Sequence, residues 1–440
     1  MSLRLIRFAL LALLIPLEAS SSHAKEWKFD FGPAAVQDGH IQILATTAYS
    51  KEAGYGFLDV SGISGVDRKT EGERGSFCTA SAPFVFAVDL PEGNYDVKVT
   101  FGDPTKAAST AIKAEARRLL LAETPTAAGE IQSRTFTLNV RIPTIPGGGE
   151  AAIDAREKGT PDWDDKLTIE FNGKRPCIAS VEISDAPNAI TLFIAGDSTV
   201  TDQPNEPWSG WGMMLPAFLQ PGIAVSNQAH SGLALFSFES QKRLQKVLAT
   251  MKKGDYLFIQ FGHNDQKDKR SGAGAATTYT ADLKHYVEAV RSKEGIPVLV
   301  TSMERRLWKG EEFQPSLAAY ADAVRQVGQE MNVAVIDLNA MSMVFYKALG
   351  PEGSKQAFVQ YPANTFPGQD KALADNTHHN PYGAFELARC IVEGIRAQVP
   401  GLTPFLRDGI GSFDPAKPDA PSSMAIPASL SQSIEKPAGN

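Results

Sequence analysis

The sequence predicts two joined domains: an all-β sandwich, followed by an α/β domain whose five parallel strands lie under two layers of helices. Two patterns carry this reading. From Trp27 to about Ala186, short alternating or β-branched runs (FVFAVDL, YDVKVTF, FTLNVRI, KLTIEF, CIASVEI) are separated by turn signals such as Pro91-Glu92-Gly93-Asn94 and Asn172-Gly173, as in a β-sandwich. From Asn188 onward, the runs AITLFIAGDS, IAVSNQA, DYLFIQFG, PVLVTSM and VAVIDL alternate with helical stretches, as in βαβ units. At 440 residues the chain is long enough for about two domains, each with its own core.

Taken in order, the chain opens with Arg4 and Arg7 ahead of an apolar stretch from Phe8 to Ile15, and Ser22-His23-Ala24 supplies small residues before Lys25. That stretch is far short of the roughly 20 residues a membrane span needs, so residues 1–24 read as a secretory signal peptide cleaved after Ala24. No cysteine follows it to carry a lipid, and no later segment is apolar enough to span. Export as a secreted or periplasmic protein is the expectation. With 50 acidic and 43 basic side chains the net charge is -7, which argues against a nucleic-acid partner. Three cysteines are too few for a disulfide framework; Cys78 and Cys177 could pair after export, whereas Cys390 lies in an apolar helical run and reads as core.

The β-sandwich is expected over 25–187. Trp27, Tyr55 and Trp163 have two readings there, a sugar-stacking platform or packing in the core and between domains. The α/β domain is expected over 188–412. Its helices show in the spacing of Leu283, Tyr286, Val287 and Val290, and again in Ala384, Leu387, Ala388, Ile391 and Ile395. Residues 413–440 are rich in Pro, Ser, Ala and Lys with few large apolar groups, and such a tail is predicted to be disordered.

Chemistry gathers where strands should end. Thr191 to Gly196 reads as a buried strand that delivers Ser198 to its carboxyl end, the side on which open α/β sheets bind ligands. After the second strand comes Asn227 to Gly232, where a glycine leaves a backbone N–H unobstructed. After the third comes Gly262-His263-Asn264-Asp265, with an amide able to donate to an oxyanion. Asn380 and Pro381 suit the cap and first turn of the last helix, so Asp375 and His378 should lie on the loop before it. A serine hydroxyl becomes a nucleophile when an imidazole takes its proton and a carboxylate orients the imidazole. Ser198, His378 and Asp375 supply those three groups. The N–H groups of Ser198 and Gly232 and the side chain of Asn264 could form the oxyanion hole. There is no Gly-x-Ser-x-Gly elbow, which sets aside the usual α/β-hydrolase arrangement.

These four blocks, in this order over about residues 190–396, resemble the SGNH or GDSL hydrolases, and GDSTV, FGHNDQK and DNTHHN look like the rhamnogalacturonan acetylesterase branch. WKFDFG and Gly54-Tyr55-Gly56-Phe57 are similar to galactose-binding-like jelly rolls. The resemblance implies a flavodoxin-like three-layer α/β/α domain, with Ser198 as nucleophile, His378 as base and acid, Asp375 as its partner, and Ser198, Gly232 and Asn264 as the oxyanion hole. It also implies that no cofactor or metal is needed. One departure is that Leu233 and Ala234 follow Gly232 where that branch usually carries Arg and Ser. His379 adjoins His378, and the Asp-x-x-His spacing favours His378.

Trp208, His263 and His379 are candidate substrate contacts, although Trp208 could be packing and His263 a structural hydrogen-bonding residue; Trp211 reads as core. His263, His378, His379 and Asp375 could also suggest a metal, but the serine, glycine and asparagine blocks would then go unexplained. Lys267 to Thr278 and Pro351 to Ala374 are long enough to wall a cleft, and Lys267, Lys269 and Arg270 could meet an acidic polysaccharide. The expected function is a secreted serine esterase that deacetylates pectin, most plausibly rhamnogalacturonan. An esterase or lipase acting on another ester, such as acetylated xylan or a lipid, and a non-catalytic glycan-binding protein are the alternatives.

Overall fold

The computed structural model describes residues 25–69 and 75–439; the expected signal peptide, residues 1–24, lies outside them. The first domain is two sheets packed face to face. One contains the strands Ile131–Val140, Gly93–Gly102, Cys177–Asp185, Glu26–Phe31 and Ile41–Ile43 in that order, with Ser76–Thr79 and Ser64–Asp67 added beside them. The other runs Tyr55–Phe57, Phe84–Asp89, Lys166–Arg175, Ala108–Ala114, Arg118–Thr126. Strand alternation makes the core: Tyr95, Val97, Val99 and Phe101 turn inward, while Asp96 and Lys98 face out to Thr137 and Glu182. Phe29, Phe31, Phe57 and Phe86 meet edge to face with centroids 5.0–5.7 Å apart.

Three expectations for this domain need correcting or deciding. Asn172-Gly173 is not a hairpin turn but an irregularity inside Lys166–Arg175, where the register slips against Ala108–Ala114. Gly173 has φ +114°, and a Cβ there would fall 2.6 Å from the Ser109 carbonyl oxygen, so the glycine serves a bulge and a close approach. The three aromatic residues pack rather than form a platform: Trp27 meets Tyr95, Tyr55 meets Phe29, and Trp163 is buried between Arg141 and Arg243. Cys78 and Cys177 are buried free thiols, as is Cys390.

The second domain is built on five parallel strands, β1 (Ile190–Gly196), β2 (Ile223–Asn227), β3 (Tyr256–Gln260), β4 (Ile296–Val300) and β5 (Ala334–Ile336), in the spatial order β2-β1-β3-β4-β5. Helices α1 (Arg243–Thr250), α2 (Thr280–Ser292), α3 (Ala318–Met331), α4 (Leu338–Gly353) and α5 (Pro381–Gln398) cover its two faces. Period-2 alternation divides the core in two. Leu192 and Ile194 pack on the side of Leu387, Ile391 and Ile395, whereas Phe193 and Ala195 pack on the side of Val247, Leu283, Val287 and Val324. Helices α2 and α5 bury the stripes that their sequence spacing predicts. Among the described residues no helix is long and apolar enough to cross a membrane.

The expectation of a disordered tail is also corrected. The segment that follows α5 lies along both domains: Tyr382 donates to Asp419 O, Glu123 N to Ala425 O, and Asn172 Nδ2 to Ala428 O. Buried Lys113 reaches Pro427 O and Ser429 Oγ, both at 2.7 Å. The segment has too little apolar surface to fold alone, and its ordering is offset by polar partners that the two domains supply.

Candidate active site

Strand β1 ends at Gly196 and sets Ser198 at the carboxyl edge of the sheet, beside the ends of β2 and β3. The turn is held by Asp197, whose Oδ1 accepts from Thr199 N and Thr199 Oγ1, and by Gln203, whose side-chain amide donates to Ser198 O at 2.7 Å. Asp375 and His378 do not lie on a plain loop. They sit in Leu373–His379, which forms a two-stranded ribbon with Phe358–Tyr361; Asn380 then caps α5 by accepting from Gly383 N, with Pro381 in its first turn. The structure brings the three groups into one line. His378 Nε2 lies 2.8 Å from Ser198 Oγ, and His378 Nδ1 lies 2.8 Å from Asp375 Oδ2.

The ribbon also separates the histidine doublet, because successive residues of a strand point to opposite faces. His378 turns to Ser198. His379 turns into the core, with its Nε2 2.7 Å from the Tyr346 hydroxyl and its ring 4.3 Å from that of Phe358. Burial, together with the nearby His263 and His378, pushes the His379 imidazole down to about 3, so it stays neutral. Burial alone would raise Asp375. The hydrogen bond and charge of His378 and the N–H groups of Thr377 and His378 instead hold its carboxylate well below the usual range.

Gly232 and Asn264 lie on the loops that follow β2 and β3, and Asn264 reaches the residue after Gly232. Gly232 adopts φ +87°, and Asn264 Nδ2 donates to Leu233 O at 3.0 Å, which fixes the amide. Among the described residues nothing accepts from the backbone N–H of Ser198 or of Gly232. His263 is buried beneath the site, its Nδ1 3.4 Å from Asp197 Oδ2. Burial opposes the charge of Asp197, but His263 and the Thr199 hydrogen bonds keep its carboxyl lowered. His263 and His379 are both fully buried, the one beside Asp197 and the other beside Tyr346. Trp208 is buried with its ring 5.7 Å from that of His378, edge to face, and Trp211 is core, donating to Gln260. Arg270 is engaged by Asp268 and Asp282.

Sequence reasoning missed the first domain's part in this site. Arg117 donates to Gln203 O and Trp208 O and pairs with Glu206, while Arg118 binds Asp202 at 2.6 Å and Asp162 at 3.1 Å. These buried arginines hold the loop that follows the serine. An interdomain cavity of about 260 Å³ opens beside it, lined by Arg141, Arg156 and Trp163 from one domain and Gln203, Trp208 and Ser231 from the other. Among the described residues, the acidic and histidine side chains close enough to share an ion are Asp154, Glu157 and His230. Glu157 already accepts from Trp163 and Arg243, so this group is an interdomain hydrogen-bonding cluster. No signal within either domain announces such contacts, since each residue acts on a partner tens of positions away.

Two family descriptions match the chain. Residues 27–132 match a Beta-agarase/YXIM esterase-like, galactose-binding domain-like family, and residues 194–384 match the GDSL-like Lipase/Acylhydrolase family. The rhamnogalacturonan acetylesterase RhgT of Bacillus subtilis is 40% identical over 209 residues, which is 47% of this chain and 89% of that protein. The chain belongs to the GDSL-like lipase/acylhydrolase family. It carries a GDSL (SGNH) hydrolase domain behind a galactose-binding-like domain, and is an ester-bond hydrolase. The same two-domain extent is found in the uncharacterized esterase YxiM of Bacillus subtilis, 26% identical over 390 residues, 86% of this chain and 92% of that one. The YxiM crystal structure aligns with a TM-score of 0.43 at 24% identity, over 87% of this GDSL hydrolase and all of that chain.

Proposed function

We propose that this GDSL hydrolase is a secreted serine carbohydrate esterase that removes acetyl groups from a pectic polysaccharide, rhamnogalacturonan first among them. The observation that carries the reading is the hydrogen-bonded line Ser198, His378, Asp375, with 2.8 Å at each link. The 40% identity to RhgT supports the substrate, and the sequence of residues 1–24 supports export.

In this reading Ser198 Oγ attacks the acetyl carbonyl carbon while His378 Nε2 takes its proton. Asp375 holds Nδ1–H and stabilises the imidazolium without taking the proton itself. The oxyanion is met by the N–H groups of Ser198 and Gly232 and by Asn264 Nδ2; loss of one such donor costs about 3 kcal/mol of transition-state stabilisation. Collapse expels the sugar oxygen, which takes the proton from His378. A water activated by the same imidazole then releases acetate and restores Ser198.

The test is acetate release from acetylated rhamnogalacturonan, acetylated xylan and a triacylglycerol, for the wild type beside Ser198→Ala. Release from the pectic substrate, abolished by the substitution, is the expected result. Release from xylan or lipid alone would move the substrate and keep the chemistry. Undiminished release by Ser198→Ala would overturn the serine mechanism, and none from any ester would favour a glycan-binding role.

A further inference from the structure

Residues 427–433 run as an extended segment joined to the first domain at Lys113 and to Glu206 by a single parallel bridge at Gln432. Glu206 N donates to Ser431 O and Ser433 N donates back to Glu206 O, both at 2.9 Å, and Trp208 Nε1 donates to Ser433 O at 2.9 Å. These partners, like Lys113 further upstream, are buried. Beyond Ser433 the path turns over the catalytic groups and the contacts change in kind. Glu435 pairs with Arg156 at 2.8 Å, and Lys436 Nζ lies 3.3 Å from Asp375 Oδ2. Arg156, Glu435 and Lys436 are exposed, so the Arg156–Glu435 pair contributes little and is screened by salt, whereas the second pair has its Asp375 end buried.

Ala438 and Gly439 then lie directly on Gly232 and Asn264. A methyl group built on Gly232 would sit 3.3 Å from Ala438 Cβ. One built on Gly439 would fall 2.8 Å from Gly232 Cα and 2.6 Å from Asn264 Oδ1. An oxyanion must sit about 2.7–3.1 Å from each of its donors. The backbone of Ala438-Gly439 lies against two of the three candidate donor residues, Gly232 and Asn264, where an acyl group held by them would have to enter.

We propose that residues 434–439 are an internal plug that closes the acyl site of the resting enzyme, pivoting after Ser433 on the anchored segment 427–433, and that substrate must displace it. The proposal rests on the serine-esterase reading of this site. The exposed ion-pairing side chains lie where displacement is needed, with Pro437 buried among them, and the buried polar partners Lys113, Glu206 and Trp208 lie where the anchor is. A polyuronate chain carries carboxylates able to compete with Glu435 for Arg156, so an acidic polysaccharide would help to open its own site.

The experiment compares the full chain with a variant that stops after Ser433, reading the rate at which a fluorophosphonate labels Ser198 by intact mass, with Ser198→Ala as the blank. The shortened chain should label at least about fivefold faster, as removal of a predominantly closed state requires. Added IEKPAG peptide should slow it again. Raising the salt concentration should accelerate the full chain and leave the shortened one unchanged. Equal or slower labelling of a shortened chain with unaltered melting temperature would overturn the plug. If shortening lowers that temperature, the full-length Glu435→Ala/Lys436→Ala variant decides, and no acceleration there overturns the proposal too. Failure of both forms to label at all would instead overturn the serine-esterase reading on which the plug depends.

Discussion

Single side chains divide the work of the site by where they point. His378 and His379 are neighbours in sequence, but the ribbon sends one to Ser198 and the other to Tyr346. His378→Ala and Asp375→Asn should each lower kcat by about three to four orders of magnitude with little change in melting temperature. His379→Ala should do the reverse, lowering the melting temperature and leaving the remaining folded enzyme active; paired activity and calorimetry separate the two. Asp265 adds a pH effect. Burial, with Asp197 nearby, pushes its carboxyl from 3.8 up to about 7. Between those values the native state binds a proton that the unfolded chain has released, so stability falls as pH rises through that window and stays lower above it. Asp265→Asn should flatten this fall, as thermal unfolding at pH 5 and pH 8 would show, and an unchanged difference between the two would contradict the assignment. The Asp-x-x-His spacing favours His378 from sequence, whereas the burial that tunes Asp265 arises only in the folded chain, where Leu235 N, 30 positions away, donates to its Oδ1 and partly offsets the shift.

At the level of elements, the parts governed by local periodicity were legible. The five parallel strands and the stripes on α2 and α5 follow from alternation and 3.6-residue spacing alone. What sequence could not provide was set by pairing partners. Asn172-Gly173 has the chemistry of a hairpin turn, but the approach of Ser109 makes it a bulge within one long strand. Gly173→Ala should therefore destabilise the first domain by more than the ~1 kcal/mol of an ordinary glycine replacement, read as a lowered denaturation midpoint. The ribbon that carries Asp375 and His378 escaped notice because its partner, Phe358–Tyr361, lies in a stretch with little periodicity.

Across the whole molecule, the two domains are joined by buried hydrogen bonds and ion pairs. The loop from Asp202 to Trp208 that follows Ser198 is tied to the first domain by Arg117 and Arg118, whose partners are all buried. Removing one member of such a network leaves an unpaired buried charge, so Arg118→Ala should cost about 3–5 kcal/mol of stability and reduce activity, although Arg118 lies outside the catalytic domain. This coupling and the path of residues 427–439 were invisible in composition, which describes a segment's own capacity to fold and not the partners waiting for it. The measurement that tests the central claim most directly is mass spectrometry of the enzyme quenched during turnover of an acetyl ester. The account predicts one acetyl group on the peptide carrying Ser198, absent from Ser198→Ala. Turnover with no acetyl group on Ser198, or with acetyl on another residue, would contradict it.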